Sequence, residues 1–137
     1  MAFSGPLEDR IALRELLDEY ADAVCRNDSD AWAATWADDG QWALPGFGAF
    51  TGKTEIVKTW KAAMTGFPGI AFHAWPGAMT IDGDKATMRS YTAETYARGD
   101  RVHRDLGEYD DVCVKIGGRW HFAVRRFRSI HRQEGPP

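Results

Sequence analysis

A single histidine, His73, lies in the middle of the apolar segment IAFHAWPG, which has the composition of a strand. A histidine in apolar surroundings titrates near neutral pH and serves as a general acid or base. On the inner face of a closed sheet it would remove a proton from a bound molecule. The alternative is a core histidine that is satisfied by one hydrogen bond. We predict a pocket histidine that acts as a general base.

Polar side chains that could assist His73 occur along three strand-like segments. Because side chains alternate along a strand, every second residue shares a face. The shared faces are Thr92, Glu94 and Tyr96; Asp105, Gly107, Tyr109, Asp111 and Cys113; and Arg125, Phe127 and Ser129. These sets place polar groups in aromatic company, as a ligand pocket requires. The sequence leaves open which face points inward, so a solvated outer face remains the alternative for Glu94, Asp111 and Arg125.

Other chemical motifs are weak, so we expect neither a cofactor nor a metal ion. The loop GFGAFTGKT resembles a phosphate-binding loop, but Phe47 stands where that motif needs a glycine. The four histidines show no HxxxH or HxH spacing, and Cys25 and Cys113 form no local pair. No GxSxG motif marks a nucleophilic serine.

The composition is that of one globular domain over residues 1–137, with 44% hydrophobic and 27% charged residues. A net charge of −3 gives no attraction to nucleic acid or to an anionic membrane. Two cysteines fit a reducing compartment. The first residues lack the pattern of a signal peptide, and no apolar run reaches the ~18 residues of a membrane span. We expect a cytoplasmic protein whose partners include neither nucleic acid nor membrane.

The hydrophobic spacing predicts three helices followed by strands. The helices are expected at Pro6–Cys25, from Asp28 or Ser29 to Trp36, and at Thr54–Met64. A short strand at Gln41–Leu44 and a glycine-rich loop at Pro45–Gly52 separate the last two. Further strands are expected at Ile70–Pro76, Ala78–Ile81, Ala86–Arg98, Val102–Ile116 and Trp120–Ile130, before a frayed tail at Gln133–Pro137.

This order predicts an α+β fold. Three N-terminal helices would pack in a curved mixed or antiparallel sheet, giving a cone-shaped barrel that encloses a pocket. The outer face of such a sheet usually packs on a partner, so we expect a homo-oligomer.

Five segments carry a family resemblance: LEDRIALRELLDEYADAV, ADDGQW, the GKTE helix start, FHAWPG and the terminal GGRWHFAVRRFRSIHR. Together they resemble the SnoaL-like branch of the nuclear transport factor 2-like superfamily over essentially the whole chain. The resemblance implies the cone fold and a trimer or dimer. It also implies cofactor-independent lyase, dehydratase or isomerase chemistry, as in the scytalone dehydratases and hexachlorocyclohexane dehydrochlorinases.

The resemblance also implies roles for four residues. Those enzymes have a histidine base corresponding to His73, an aspartate that orients it where this chain has Cys25, a lysine corresponding to Tyr20, and an arginine corresponding to Arg125. A neutral thiol stabilises an imidazolium poorly. An acid elsewhere (Asp22, Glu94 or Asp111) replaces the aspartate, or the protein binds a ligand without this chemistry. Cys25 as a nucleophile is a further alternative that a helix C-terminus disfavours.

We therefore predict an enzyme acting on a small apolar substrate that is aromatic, polyketide-like or steroid-like. The catalytic residues would be His73 as base, Arg125 to stabilise negative charge, and Tyr20 or another tyrosine to polarise an oxygen. The substrate-binding residues would be Cys25, Glu94, Tyr96, Tyr109, Asp111 and Phe127. The alternatives are a non-catalytic small-molecule-binding or subunit-like module, and a hydrolase on the same cone.

Overall fold

The computed structural model describes residues 1–137 as three helices and seven strands in an α+β arrangement. The helices are α1 (Leu7–Arg26), α2 (Ser29–Ala33) and α3 (Lys53–Met64). The strands are β1 (Phe3–Ser4), β2 (Trp36–Leu44), β3 (Gly48–Thr51), β4 (Ala71–Asp82), β5 (Lys85–Arg98), β6 (Arg101–Ile116) and β7 (Arg119–Gly135). Helices first and long strands afterwards is the order that the sequence predicts.

Helix α1 forms because its apolar residues repeat at intervals of three and four and so line one face. Leu13, Leu17 and Val24 on that face are buried. Glu8 and Asp9 lie in the first turn, where carboxylates complement the helix dipole. Asn27 ends the helix in the left-handed conformation, with φ of 52°. The buried face of α1 packs against β4 and β7.

The sheet is mixed and open rather than closed into a barrel. Its strand order is β1-β4-β5-β6-β7-β2-β3, so β1 and β3 are free edges. The pairs β1–β4 and β2–β7 are parallel, and the other four are antiparallel. The predicted cone of helices and curved sheet is confirmed, but its closure is wrong.

Three long strands supply the concave face, and their register sets four cross-strand rows. In the order β5–β6–β7, the rows are Met88–Asp111–Arg125, Ser90–Tyr109–Phe127, Thr92–Gly107–Ser129 and Glu94–Asp105–Arg132. The buried members Ser90, Thr92, Tyr109 and Asp111 identify this face as the inner one. Each face set that alternation predicted therefore points inward, which the sequence left open.

Aromatic rings fill the narrow end of the cone. Trp32 and Trp60 stack with ring centroids 4.6 Å apart and an angle of 10°. Trp36, Trp42 and Phe122 surround this stack and are nearly inaccessible. Full burial of such side chains contributes ~1.5–3 kcal/mol each. Most tryptophans are thus core residues.

Several element boundaries differ from the prediction. Trp36 begins β2 instead of ending α2, and the loop predicted at Pro45–Gly52 contains the edge strand β3. The expected tail continues as β7 to Gly135, because β6 extends beside it to pair Val102 with Gly135. Strand β1 was not predicted, since two residues paired in parallel with a distant strand leave no local pattern.

The two strands expected at Ile70–Pro76 and Ala78–Ile81 form one continuous β4 with a bulge at Gly77. A bulge inserts one residue and reverses which side chains face inward. Met79, beyond the bulge, is buried, whereas Phe72, before it, contacts Tyr20 inside the cone. His73 lies before the bulge. The sequence analysis placed its side chain on the inner face, but it points outward.

Candidate functional site

A buried ion pair, Arg125 with Asp111, lies at the centre of the inner face. Neither side chain is exposed to solvent. Arg125 Nε donates to Asp111 Oδ1 at 2.7 Å, and Arg125 Nη2 donates to Ser90 Oγ at 3.0 Å. Ser90 Oγ in turn donates to Asp111 Oδ2 at 2.6 Å. A charge this deep is tolerated only when it is paired in this way.

Three aromatic rings enclose the Arg125 guanidinium. Its Cζ lies 3.8 Å from the ring centroid of Tyr109, 4.2 Å from that of Phe122 and 4.5 Å from that of Tyr20. Despite this enclosure, the Nη1 atom is buried without a hydrogen-bond partner. Trp32 Nε1, beside Tyr20, is likewise buried and unpartnered. Buried donors without acceptors are costly and often mark a missing partner.

The phenols of this cluster remain protonated at neutral pH. Burial raises the pKa of Tyr20, and the positive charge of Arg125 opposes the rise. Burial also raises the pKa of Tyr109 well above its ordinary value. The pKa of Arg125 is lowered by burial, but Asp111 and the two tyrosines outweigh that effect and raise it overall. The cluster is therefore a set of O–H and N–H donors next to one fixed positive charge.

An apolar platform adjoins the donors. Phe127 packs against Tyr109 with ring centroids 5.1 Å apart, and the edge of its ring lies next to Gly107 on β6. A Cβ atom at Gly107 would overlap the Phe127 ring and lie 2.9 Å from Thr92 Oγ1. Glycine at this position is what lets the ring cover the strand.

A pair of carboxylates, Glu94 and Asp105, lies beyond the platform on neighbouring strands. Asp105 Oδ2 accepts a hydrogen bond from Tyr96 Oη at 2.9 Å. Burial and the negative charge of Asp105 raise the pKa of Glu94 from 4.5 to about 7, against the opposing effect of Arg132. This end of the inner face thus holds a carboxyl group that titrates near neutral pH.

The expected placement of His73 is wrong. The residue is exposed on the outer face of the sheet, with its ring 5.3 Å from that of Trp75. The bulge at Gly77 is the physical reason, because unbroken alternation from the buried Met79 would have turned residue 73 inward.

Cys25 does not meet a histidine. Its thiol donates to the Phe72 carbonyl oxygen at 3.3 Å, and the sulfur accepts from the Phe72 N–H at 3.2 Å. Cys25 thus ties the end of α1 to β4, and Phe72, whose ring packs against Tyr20 at 5.9 Å, occupies the adjacent inner position. The histidine–acid dyad of the resemblance is absent from the interior, since His73 is exposed on the outer face and Cys25 stands at the position of the acid.

The fold brings most of the sequence-predicted site residues together. The interior group comprises Tyr20, Glu94, Tyr96, Tyr109, Asp111, Arg125 and Phe127. The sequence analysis missed Trp32, Ser90, Asp105 and Arg132 as members of the site. Strand alternation had grouped Asp105 with Tyr109 and Asp111, so that signal was present. The tryptophan gave no signal, because its role depends on the packing of α2 against α1.

Two open depressions lie away from this interior. One of about 530 Å³ lies on α3, lined by Lys53, Thr54, Val57, Lys58 and Lys61. One of about 360 Å³ lies on the outer face of β4–β7 near Arg89, Asp110 and Arg126. No three His, Cys, Asp or Glu side chains are grouped to hold a metal ion. None of the helices combines the length and apolar character that crossing a bilayer requires.

Comparison with known proteins gives a consistent picture. The SnoaL-like domain model matches residues 5–126. A candidate scytalone dehydratase from Novosphingobium aromaticivorans DSM 12444 is 22% identical, with a TM-score of 0.85 over 93% of this chain and 87% of that one. Hexachlorocyclohexane dehydrochlorinase LinA-type3 from Novosphingobium barchaimii LL02 is 17% identical, with a TM-score of 0.80 over 96% of this chain and 97% of that one.

An NTF2-like protein with a cystatin-like fold, also from Novosphingobium aromaticivorans, is 25% identical, with a TM-score of 0.77 over 90% of this chain and 83% of that one. No curated protein matches the chain. Likeness at these identities establishes the fold, and the chemistry has to be argued from the site itself.

Proposed function

The chain belongs to the SnoaL-like domain family, and from this premise we propose that it is a cofactor-independent lyase or isomerase. Its substrate is a small, mostly apolar molecule that carries an acceptor oxygen. The chemistry is removal of a proton next to that oxygen, followed by elimination or by return of the proton elsewhere. The dehydratase-like and dehydrochlorinase-like neighbours agree with this reaction class.

The observation that carries the proposal is the unpartnered Nη1 of Arg125 among protonated phenols. A substrate oxygen gains negative charge when a neighbouring carbon loses its proton. Fixed donors in a water-poor site stabilise such charge, and loss of one donor typically costs ~100-fold or more in rate. Asp111 and Ser90 hold the guanidinium in place, so it is preorganised for this role.

The apolar part of the substrate would lie on Phe127. The rings of Phe127 and Phe72 are half-buried and cover Tyr109 and Tyr20. Aromatic faces favour flat or alicyclic hydrocarbon over charged groups. An aromatic, polyketide-like or steroid-like molecule fits this lining better than a sugar or a phosphate ester.

A non-catalytic small-molecule-binding module is the second candidate, and a specific observation favours it. Cys25 is engaged with the backbone of Phe72, so the acid and the histidine of related enzymes both lack counterparts in the interior. In this case the Arg125 cluster would bind a carbonyl or carboxylate without further reaction.

A matched pair of tyrosine variants separates the two candidates. Tyr109→Phe removes one interior hydroxyl, and Tyr91→Phe makes the same change on the outer face, where Tyr91 stacks on Trp75. Aromatic, polyketide-like, steroid and halogenated compounds are screened for a rise in Tm, and each binder is checked for product by mass spectrometry.

Wild type and Tyr91→Phe should form product from a stabilising compound, and Tyr109→Phe should form it at least ~10-fold more slowly. If all three proteins bind a compound and none of them, wild type included, forms product, the enzyme is contradicted and the binding module is favoured.

A further inference from the structure

We propose that the outer face of β4–β7 is a self-complementary surface that joins two copies of this chain about a two-fold axis between β5 and β6. Ion pairs between Arg89 of one copy and Asp110 of the second copy fix the register of the two sheets. This interface is independent of the reaction proposed for the interior, because none of its contacts involves an inner-face side chain.

The outer face is set by alternation along the long strands. Because every second residue at the start of β5 is buried, Arg89 and Tyr91 face outward. In the order β4–β5–β6–β7, the outer rows are Ala78–Arg89–Asp110–Arg126, Trp75–Tyr91–Glu108–Arg128 and His73–Ala93–Leu106–His131. In these rows Trp75 and Leu106 are exposed, although both side chains are large and apolar. Exposed aromatic and apolar groups with arginines around them are typical of a protein interface.

The first row carries three charges that are unpaired within the chain. Arg89, Asp110 and Arg126 are exposed, and no ion pair within 4.0 Å includes any of them. The Arg89 side chain leans over the bulge on β4, where its Nε lies 3.3 Å from the position that a Cβ atom of Gly77 would occupy. The three charges border the open depression of about 360 Å³ described above. The row therefore presents a free carboxylate and free guanidinium groups beside a concave surface.

A two-fold axis that runs along the strands between β5 and β6 makes this row complementary to itself. In face-to-face packing of two sheets, such an axis places β5 of one copy on β6 of the second copy and β4 on β7. Arg89 of one copy then meets Asp110 of the second copy, and the symmetry forms this pair twice. An axis along β6 itself would place Asp110 on Asp110 and Arg89 on Arg126, and contacts between like charges are unfavourable.

The same axis makes the other two rows complementary. The rings of Trp75 and Tyr91 stack with centroids 5.8 Å apart. They lie over the ion pair that Glu108 and Arg128 of the second copy form at 2.7 Å, and a guanidinium is attracted to an aromatic face. In the third row the exposed Leu106 meets the small side chain of its counterpart row on β5. The apolar groups thus lie at the centre of the contact, with charged groups around them.

Charge reversal tests the pairing without any ligand. The proteins are wild type, Arg89→Asp, Asp110→Arg, an equimolar mixture of these two variants, and Arg126→Asp. The last reverses an exposed charge in the same row and is the matched control, because its position faces an alanine of β4 in the second copy. Light scattering after gel filtration gives the mass, native mass spectrometry identifies the chains in each dimer, and circular dichroism verifies folding.

Wild type and Arg126→Asp should form dimers with twice the mass of the chain. Arg89→Asp brings carboxylates together across the interface and Asp110→Arg brings guanidinium groups together, so each variant alone should have a dissociation constant ~100-fold or more higher. The mixture should regain a dimer that contains one chain of each variant, because both pairs then join opposite charges. Mixing leaves the charges within each chain unchanged, so only contact between copies explains the recovery.

A wild type that is a monomer or a trimer would overturn the two-fold pairing of this face. A dimer that persists in both Arg89→Asp and Asp110→Arg would place the interface elsewhere. Variants that stay monomeric when mixed would overturn the contact between these two residues. Loss of the dimer in Arg126→Asp but not in Arg89→Asp would move the axis to β6 and β7, and would overturn the proposed register.

Discussion

Replacement of Glu94 by glutamine should stabilise the protein at alkaline pH and leave it nearly unchanged at acidic pH. The reason is the pKa of Glu94, which burial and Asp105 raise from 4.5 to about 7. Between these two values the folded state holds a proton that the unfolded chain releases. The free energy of unfolding of the wild type therefore falls as pH rises from about 4.5 through about 7. Glutamine mimics the protonated acid and does not titrate.

The size of the effect follows from the same two values. The difference between 4.5 and about 7 corresponds to about 3 kcal/mol at 1.36 kcal/mol for each pH unit, as an upper figure, since Glu94 keeps some contact with water. We expect Glu94→Gln to gain about 2–3 kcal/mol relative to wild type between pH 4.5 and pH 8.5. In a domain of this size each kcal/mol moves Tm by roughly 3–6 °C.

Urea unfolding followed by tryptophan fluorescence at the two pH values measures this difference. Taking wild type minus variant at each pH cancels the titration of the groups that do not interact with Glu94. Glu15→Gln, an exposed position on α1, is the control and should show no pH-dependent gain. If Glu94→Gln differs from wild type by the same amount at both pH values, the carboxylate is hydrated and the argument from burial is wrong.

Three further outcomes are expected. Gly107→Ala should lower the free energy of unfolding in urea by about 1–3 kcal/mol, because the added Cβ overlaps the ring of Phe127. An unchanged urea midpoint would mean that the ring moves freely. His73→Ala should keep wild-type Tm and ligand response, since its ring is exposed; a selective loss of turnover would restore the histidine as base. Trp75→Glu should convert the expected homo-oligomer to monomer in light scattering after gel filtration, because the exposed Trp75 stacks on the half-buried Tyr91 to form an aromatic patch on the outer face. An unchanged mass would place the interface elsewhere.

The sequence predicted the α+β class, the three helices and the faces of the long strands. These features are local: the apolar repeat of α1 has the period of a helix, and the sets containing Glu94, Tyr109 and Arg125 follow from the period of a strand. The family resemblance extended this to the cone fold, which is confirmed. The grouping of Tyr109, Asp111 and Arg125 in one site followed from alternation once the inner face was known.

Only the tertiary structure decided which side chains point inward. Alternation fixes the period of a strand but not its phase, and the phase is set by non-local pairing and by bulges such as the one at Gly77. That bulge turns His73 outward and Phe72 inward. The open edges of the sheet and the pairing of β1 likewise depend on contacts between residues far apart in the chain. The period of side chains is a property of the backbone, whereas their placement inside or outside depends on which surface the helices cover.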